Sequence, residues 1–155
     1  DAYIEVTTAT GRTEVLRVVT YGESGSDGDL DVSPEAYEAL NMDEFPRTMT
    51  WHLVACDNAE PLYLQFQTEA NVWWTSLWVR NTTMAIERVE VINARFPDGQ
   101  ELVLATDGTY TESSGFGEGP FTLRVTGVTG AFIDIPLDGF EPGAVVAAQS
   151  NIPLE

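Results

Sequence analysis

Hydrophobic and polar residues alternate along most of this chain in short runs. The clearest runs are AYIEVT, TEVLRVVTY, TMTWHLVA, LYLQFQT, ERVEVINARF and FTLRVTGV. Alternation with a period of two, together with many β-branched and aromatic residues, is typical of strands with one buried face. The turn sequences TGR, PDGQ, TDGT and GEGP separate the runs, and their glycine and aspartate residues suit tight turns. The pattern predicts an all-β fold built from antiparallel hairpins.

One segment, SPEAYEALN, departs from the period of two and predicts a short helix. Ser33 stands where its hydroxyl can cap the first turn, and Pro34 occupies the first helical position, where no backbone N–H donor is needed. Tyr37 and Leu40 are three residues apart and therefore share one face of the helix. We expect this helix to be embedded among the strands.

The composition changes in the segment ACDNAEP, residues 55–61, where one strand run ends in polar residues before the next begins. Residues 1–57 hold only a few strand runs and the helix, which is too little to close a sheet around a core. Residues 58–155 hold most of the strand runs and have the size of a β-sandwich. The chain is therefore predicted to contain two units, of which the first is incomplete by itself.

The charge of the chain restricts its partners. It has 25 acidic and 7 basic side chains, a formal net charge of −18. Such a field repels phosphate backbones and anionic lipid headgroups, so we expect no nucleic acid and no membrane as partner. No apolar run approaches the roughly 18 residues needed to span a bilayer, and no basic segment followed by an apolar one opens the chain. We expect a soluble or already processed protein that is secreted and extracellular.

The segment NVWWTSLWVRN, residues 71–81, concentrates three tryptophans. In an extended strand, Trp74 and Trp78 point to one side, and Trp73 points with Leu77 to the core. A bulge between the paired tryptophans would instead bring both to the surface. One buried tryptophan is common in a sandwich, whereas three indicate an exposed aromatic surface of the kind that binds ligands. Because aromatic rings can lie parallel to sugar rings, polysaccharide is the expected ligand.

Several segments, taken in order, resemble the expansins, in particular the microbial expansin-like proteins. These segments are DAYIEVTTATGRTEVLRVVTYGE, GDLDVSPEAYEAL, TMTWHLV, VWWTSLWVRN and FTLRVTGVTGAFIDIPL. The most specific elements are the aspartate in LDVSPEAYEAL and the paired tryptophans that run into VRN. The resemblance extends over essentially the whole chain. It implies part of a double-psi β-barrel related to inverting glycoside hydrolases, followed by an immunoglobulin-like β-sandwich that binds cellulose.

The resemblance also implies how the two units divide. Residues 1–57 would be the C-terminal portion of the barrel, whose N-terminal portion is absent from this chain, and residues 58–155 would be the carbohydrate-binding sandwich. Cys56 is the only cysteine, so it cannot form a disulfide within the chain. From the residues alone it is either a buried free thiol or half of a disulfide to polypeptide outside this sequence. The resemblance implies the second, with the partner in the absent portion of the barrel.

The resemblance implies that two residues of this chain line a groove of the barrel. Asp31 matches the aspartate that expansins share with the catalytic acid of the related hydrolases. Tyr21 matches an aromatic residue that lines the same groove, and Glu23 follows at a similar position, although the loop here is one residue longer. These groove residues are expected to serve loosening of polysaccharide and not hydrolysis.

The resemblance places the aromatic residues of the sandwich on a cellulose-binding platform. Trp73 and Trp74 match the pair that lies on the flat binding face. The third platform ring of the family falls near TDGTYTESS, where Tyr110 is the only aromatic residue, one or two positions out of register. Trp78 stands where many relatives have a polar residue, and its spacing would extend the platform beside Trp74.

The number of carboxylates in the groove separates an enzyme from a non-enzyme. Inverting glycosidases need an acid and a base about 6.5–9.5 Å apart on opposite sides of the scissile bond. Asp31 supplies one carboxylate, and Asp29 would lie beside it on one wall rather than across the sugar. The resemblance implies a non-hydrolytic plant cell-wall loosening protein that binds cellulose and related β-glucans. The alternatives are a weak endoglucanase or lytic enzyme of the related barrel family, and a stand-alone cellulose-binding fragment.

No cofactor and no metal are expected. The sequence DGDLDVSPE has no glycine at the sharp turn of a calcium loop, and its glutamate falls out of step with the ligand positions. His52 is the only histidine and is predicted to be structural.

Overall fold

A computed structural model describes residues 2–19, 26, 28–57 and 60–154. The described residues form strands and one short helix, and the all-β prediction is confirmed. The elements, in chain order, are β1 (Ala2–Thr8), β2 (Thr13–Val18), α1 (Pro34–Ala39), β3 (Met49–Val54), β4 (Tyr63–Phe66), β5 (Thr75–Arg80), β6 (Ile86–Ile92), β7 (Gln100–Glu101), β8 (Val103–Leu104), β9 (Tyr110–Glu112), β10 (Phe121–Gly127), β11 (Phe132–Leu137) and β12 (Val145–Ala147).

The helix α1 begins as its sequence predicts. The Ser33 hydroxyl accepts a hydrogen bond from the backbone N–H of Ala36 at 3.2 Å, and Pro34 takes the first position. Leu40 ends the helix and is fully buried. Across the described ranges, no helix combines the length and the apolar character that a membrane crossing requires.

The first unit is a three-stranded antiparallel sheet in the order β2-β1-β3, with α1 packed on one face. Its small core contains Ile4 and Val6 of β1. On β3, Leu53 pairs with Ile4 and Trp51 pairs with Val6, so all four side chains share that face. Trp51 nevertheless remains 42% exposed and Leu53 49% exposed. Within the described residues, this face of the sheet is therefore only partly covered.

The second unit is a sandwich of two antiparallel sheets. Their strand orders are β11-β10-β6-β7 and β12-β4-β5-β9-β8. Apolar side chains from the two inner faces form one core, in which Phe66 stacks on Phe140 with ring centroids 4.5 Å apart. Phe116 and Phe121 meet edge to face at 5.1 Å. These ring contacts favour a rigid core.

Asparagine side chains hold the segment that joins the two units. The Asn151 amide nitrogen donates to the carbonyl oxygens of Asn81 at 2.6 Å and Glu60 at 3.0 Å. Its amide oxygen accepts from the backbone N–H of Thr83 at 3.0 Å. The backbone N–H of Cys56 in turn donates to the Thr83 carbonyl at 2.7 Å. The end of the chain, the start of the sandwich and the joining segment are therefore bound to one another.

Candidate functional site

Strand β5 presents alternate side chains to the core and to the outer face of the five-stranded sheet. Leu77 and Val79 are buried in the core, and Trp78 lies half-buried on the opposite face. Ser76 pairs with Thr111 of β9, and their hydroxyl oxygens lie 2.7 Å apart on that same outer face. The period of two therefore holds within β5.

Trp73 and Trp74 precede β5 and belong to a tight turn. The backbone N–H and C=O groups of Asn71 and Trp74 exchange hydrogen bonds of 2.8 and 3.2 Å, with Val72 and Trp73 at the tip. The Asn71 side-chain oxygen also accepts from the backbone N–H groups of Trp73 at 2.9 Å and Trp74 at 3.1 Å. Trp73 is 78% exposed. Strand alternation predicted a buried Trp73, which is wrong because a turn and not a strand carries it.

The segment between β9 and β10 forms hydrogen bonds with this turn and with the first residue of β5. The backbone N–H of Gly117 donates to the Val72 carbonyl at 3.1 Å. The backbone N–H of Phe116 donates to the Thr75 hydroxyl at 3.2 Å, and that hydroxyl donates to the Asn71 carbonyl at 2.9 Å. The turn is thereby fixed at several points, so the Trp73 ring is presented from a supported backbone.

Trp74 lines an open concavity of about 830 Å³ on the outer face of the five-stranded sheet. The remaining walls carry hydroxyl, amide and carboxylate groups, among them those of Gln67, Ser76, Gln100 and Thr111. A ring beside many neutral hydrogen-bonding groups is an arrangement that suits a polyhydroxylated ligand. Sequence reasoning identified Trp74 and missed these polar walls.

Trp78 is held by the turn that precedes β9. Its indole Nε1–H donates to the backbone carbonyl of Asp107 at 3.1 Å, and the guanidinium of Arg80 lies 5.6 Å from its ring centroid. The Asp107 carboxylate accepts from the Thr109 hydroxyl at 2.7 Å and from the Gln67 amide at 3.2 Å. The bond from the Thr109 side chain, followed by that from the Thr109 backbone, lowers the pKa of Asp107 below its ordinary value. The rim of the concavity therefore carries an ionised carboxylate.

Tyr110 does not lie with the exposed rings. It pairs with Leu77 on the inner face, is only 9% exposed and packs in the sandwich core. The expectation that Tyr110 supplies a third surface ring is contradicted by this burial. Alternation along β9 turns Thr111 outward and Tyr110 inward.

Tyr63 is an outward aromatic residue that the sequence reasoning missed. Tyr63 lies in β4, where it pairs with Arg80 of β5 and Ala147 of β12. Its side chain is half-buried on the outer face of the five-stranded sheet. Gln65, two residues further on, pairs with Trp78, so Tyr63 is a diagonal neighbour of that ring. The signal was present in LYLQFQT, whose leucines and phenylalanine alternate with outward residues.

The burial of Tyr110 predicts a loss of stability at alkaline pH. Burial raises the pKa of Tyr110 to about 12, whereas an exposed tyrosine titrates near pH 10. Between these values the unfolded chain releases a proton that the folded chain retains, so stability falls as pH rises. Tyr110→Phe should flatten this decline in urea unfolding curves measured from about pH 9 to about pH 11.5. A decline parallel to that of the unchanged protein would contradict the assignment.

Asp31 lies in a second concavity, of about 470 Å³, in the first unit. It is exposed and stands two residues before the Ser33 cap of α1. Asp29 lines the same concavity, but its carboxylate accepts from the backbone N–H of Ser26 at 2.8 Å and closes a turn there. Asp29 therefore stabilises the backbone of this loop.

Two predicted groove residues, Tyr21 and Glu23, lie outside the described residues. Among the residues that are described, no three His, Cys, Asp or Glu side chains come close enough to hold a metal ion. The Nε2 atom of His52 lies 3.8 Å from a carboxylate oxygen of Glu5 on the neighbouring strand. Cys56 is a half-buried free thiol.

Comparison with solved structures identifies expansins as similar in fold. The crystal structure of the apo expansin of Clavibacter michiganensis matches with a TM-score of 0.78 and 25% identity, covering 99% of this chain and 76% of that one. A mutant of the same expansin in complex with cellohexaose matches with a TM-score of 0.79, 24% identity and the same coverage. By sequence, no family model and no curated protein match the chain. These structures confirm the resemblance to expansins, and the fold of this chain is expansin-like.

Proposed function

We propose that this protein is a secreted, extracellular, non-hydrolytic cell-wall loosening protein that binds cellulose and related β-glucans of plant walls. The observation that carries the proposal is the exposed Trp73 ring next to the concavity lined by Trp74. The similar Clavibacter expansin in complex with cellohexaose supports a glucan as the ligand. Expansins in general act without measurable cleavage, in keeping with the non-hydrolytic part of the proposal.

Binding would begin on the sandwich. Trp73 and Trp74 stack on the apolar faces of glucose units, and each ring contributes about 1 kcal/mol. Trp78 and Tyr63 extend the aromatic surface along the outer face of the sheet. Because the turn that carries Trp73 is already fixed by hydrogen bonds, little conformational entropy is lost on binding.

The groups around Trp74 favour a neutral polysaccharide. Gln67, Gln100 and Thr111 offer hydrogen bonds to hydroxyl groups without requiring charge. Asp107 and the net charge of −18 repel polyuronides such as pectin. A neutral β-glucan is therefore the preferred ligand of this surface.

The first unit would act on the bound glucan through the concavity that contains Asp31. Of the described residues that line it, Asp29 and Asp31 are the two carboxylates, and Asp29 is bonded to the loop backbone. This leaves Asp31 to accept hydrogen bonds from sugar hydroxyls and to compete with the contacts between neighbouring chains. No covalent step is needed. Tyr21 is proposed as a second residue of this groove.

The partly covered face of the first sheet supports an incomplete barrel. Trp51 and Leu53 would be costly to leave in water, and further polypeptide packed on them would complete the core. We accordingly propose that residues 1–57 are the C-terminal portion of a double-psi barrel and residues 58–155 the sandwich domain. A disulfide from Cys56 to that further polypeptide is part of the same proposal.

The proposed role of Asp31 predicts a separation of loosening from binding. Asp31→Asn should abolish the extension of wall strips and the weakening of filter paper, because an amide has only one acceptor oxygen where the carboxyl group has two. Adsorption to insoluble cellulose should remain unchanged, since Asp31 lies on the first unit. Asp98→Asn, an exposed turn residue of the sandwich, is the matched control. Loss of adsorption in Asp31→Asn would mean a structural role, and release of reducing sugar from soluble glucan by the unchanged protein would favour the endoglucanase.

A further inference from the structure

The loop between α1 and β3 presents an exposed aromatic ring. Phe45 is 76% exposed, which is close to the exposure of Trp73. Single exposed apolar residues are common on protein surfaces and need no explanation by themselves. Phe45, however, lies in contact with a residue of the concavity that contains Asp31.

That residue is Arg47, whose guanidinium is fixed on three sides. Its Nε–H donates to the Met42 carbonyl at 2.7 Å. Its central carbon lies 4.6 Å from the Phe45 ring centroid and 5.8 Å from that of Tyr37. Arg47 also lines the concavity that contains Asp31. Among the described residues, its two terminal amino groups have no hydrogen-bond partner.

We propose that Phe45 and Arg47 form a sugar-binding subsite that extends the Asp31 groove and takes a unit of a neutral β-glucan. One face of the Phe45 ring carries the Arg47 guanidinium, and the exposed ring can receive the apolar face of a sugar. The terminal amino groups of Arg47 donate to neighbouring hydroxyls of that sugar or the next. The inference rests on the proposed function, in which a glucan chain reaches Asp31.

The charges around the subsite select a neutral sugar rather than a uronate. Asp29 and Asp31 share the concavity with Arg47. Asp43, bonded to the Tyr37 hydroxyl at 3.1 Å, and Glu44 lie in the same loop as Phe45. One guanidinium among four carboxylates does not provide a net attraction for an anion. Its N–H groups can donate to hydroxyl oxygens, and its fixed position limits the entropy lost on binding.

The first experiment is an NMR titration of the full chain with cellohexaose. The side-chain Nε–H signal of Arg47 and the ring signals of Phe45 report on the subsite, and the indole N–H signals of Trp73 and Trp74 report on the sandwich. We expect both groups of signals to shift. Shifts of the indoles alone would overturn this inference and leave the proposed function standing. No shift in either group would contradict both, and shifts at the subsite alone would support the inference and contradict the aromatic platform.

Variants give a second, independent measure. Phe45→Ala and Arg47→Gln should each raise the dissociation constant read from the Asp31 groove signals by about three- to tenfold, and Phe45→Tyr should restore it. Phe132→Ala is the matched control. Phe132 lies on the four-stranded sheet of the sandwich and is 49% exposed, and the central carbon of the Arg124 guanidinium lies 4.4 Å from its ring centroid. Equal dissociation constants for Phe45→Ala and Phe132→Ala would overturn the subsite. Arg47→Gln leaves the Phe45 ring in place, so it tests the subsite even if Phe45→Ala is unstable.

Discussion

Replacing Trp73 and Trp74 together by alanine is expected to weaken adsorption to insoluble cellulose by at least about tenfold. Each ring should contribute about 1 kcal/mol of stacking, and about 1.4 kcal/mol corresponds to one factor of ten in affinity. Trp73 stands at the tip of a turn with 78% of its surface exposed, so its loss should not disturb the core. The measurement is a depletion isotherm on microcrystalline cellulose, with the free protein quantified at each concentration.

The single variants separate the two rings. Trp73→Ala should lower affinity with little change in the free energy of unfolding. Trp74→Ala should also lower binding of soluble oligosaccharides, because this ring lines the concavity on the sheet. Phe132→Ala, which removes an exposed ring from the opposite sheet, should adsorb like the unchanged protein. Undiminished adsorption of the double variant would remove the basis of the aromatic surface.

A methyl group at Gly115 is expected to have the largest effect on stability and to impair binding as well. A Cβ atom at this position would collide with the backbone carbonyl of Val72, in the turn that presents Trp73. Gly115 also has a left-handed φ of +69°, which disfavours alanine by about 1 kcal/mol. The collision adds up to about 3 kcal/mol unless the turn moves. Either response acts on the backbone that carries the exposed ring.

Gly117 provides a matched control two residues further along. Its φ is +83°, so alanine there meets a similar backbone cost, but no atom lies within 4 Å of a Cβ at this position. Urea unfolding should show about 1 kcal/mol of destabilisation for Gly117→Ala and about 3 kcal/mol or more for Gly115→Ala. Cellulose adsorption should fall several-fold in Gly115→Ala only. Two variants of equal stability and equal adsorption would show that the turn does not depend on this contact.

The alternation of apolar and polar residues correctly predicted which side chains of β4 face the core, but it did not predict the turn at residues 71–74. In LYLQFQT the period of two assigns the faces of β4 correctly, since Leu64 and Phe66 are buried and Tyr63 faces outward. In NVWWTS the same period fails because the Asn71 side chain binds two backbone amides. Local hydrogen bonds of this kind compete with strand geometry, and the alternation of apolar residues does not reveal them.

The face of Tyr110 depended on a register that sequence alone could not determine. It is the first residue of a three-residue strand, and a shift of one position would exchange the inner and outer faces. Pairing with Leu77 settles the register, and that contact is remote in sequence.

The polar partners of the site were missed for a related reason. Asp107 was visible only as part of a turn, and its contacts with Gln67 and Trp78 join distant parts of the chain. Arg47 and Phe45 had no periodic signal, because they lie in a loop. Asp31 was identified through a motif that resembles a known family, and no physical pattern in the sequence singled it out.

The hydrogen bonds of Asn151 give the molecule a mechanical property. They connect the segment after β12 to residues 60, 81 and 83, and the Thr83 carbonyl in turn accepts from the backbone N–H of Cys56, so the boundary between the two units is held by linked hydrogen bonds. Under the proposed function, a glucan bound by the aromatic rings and a glucan bound at Asp31 would therefore be coupled through this boundary.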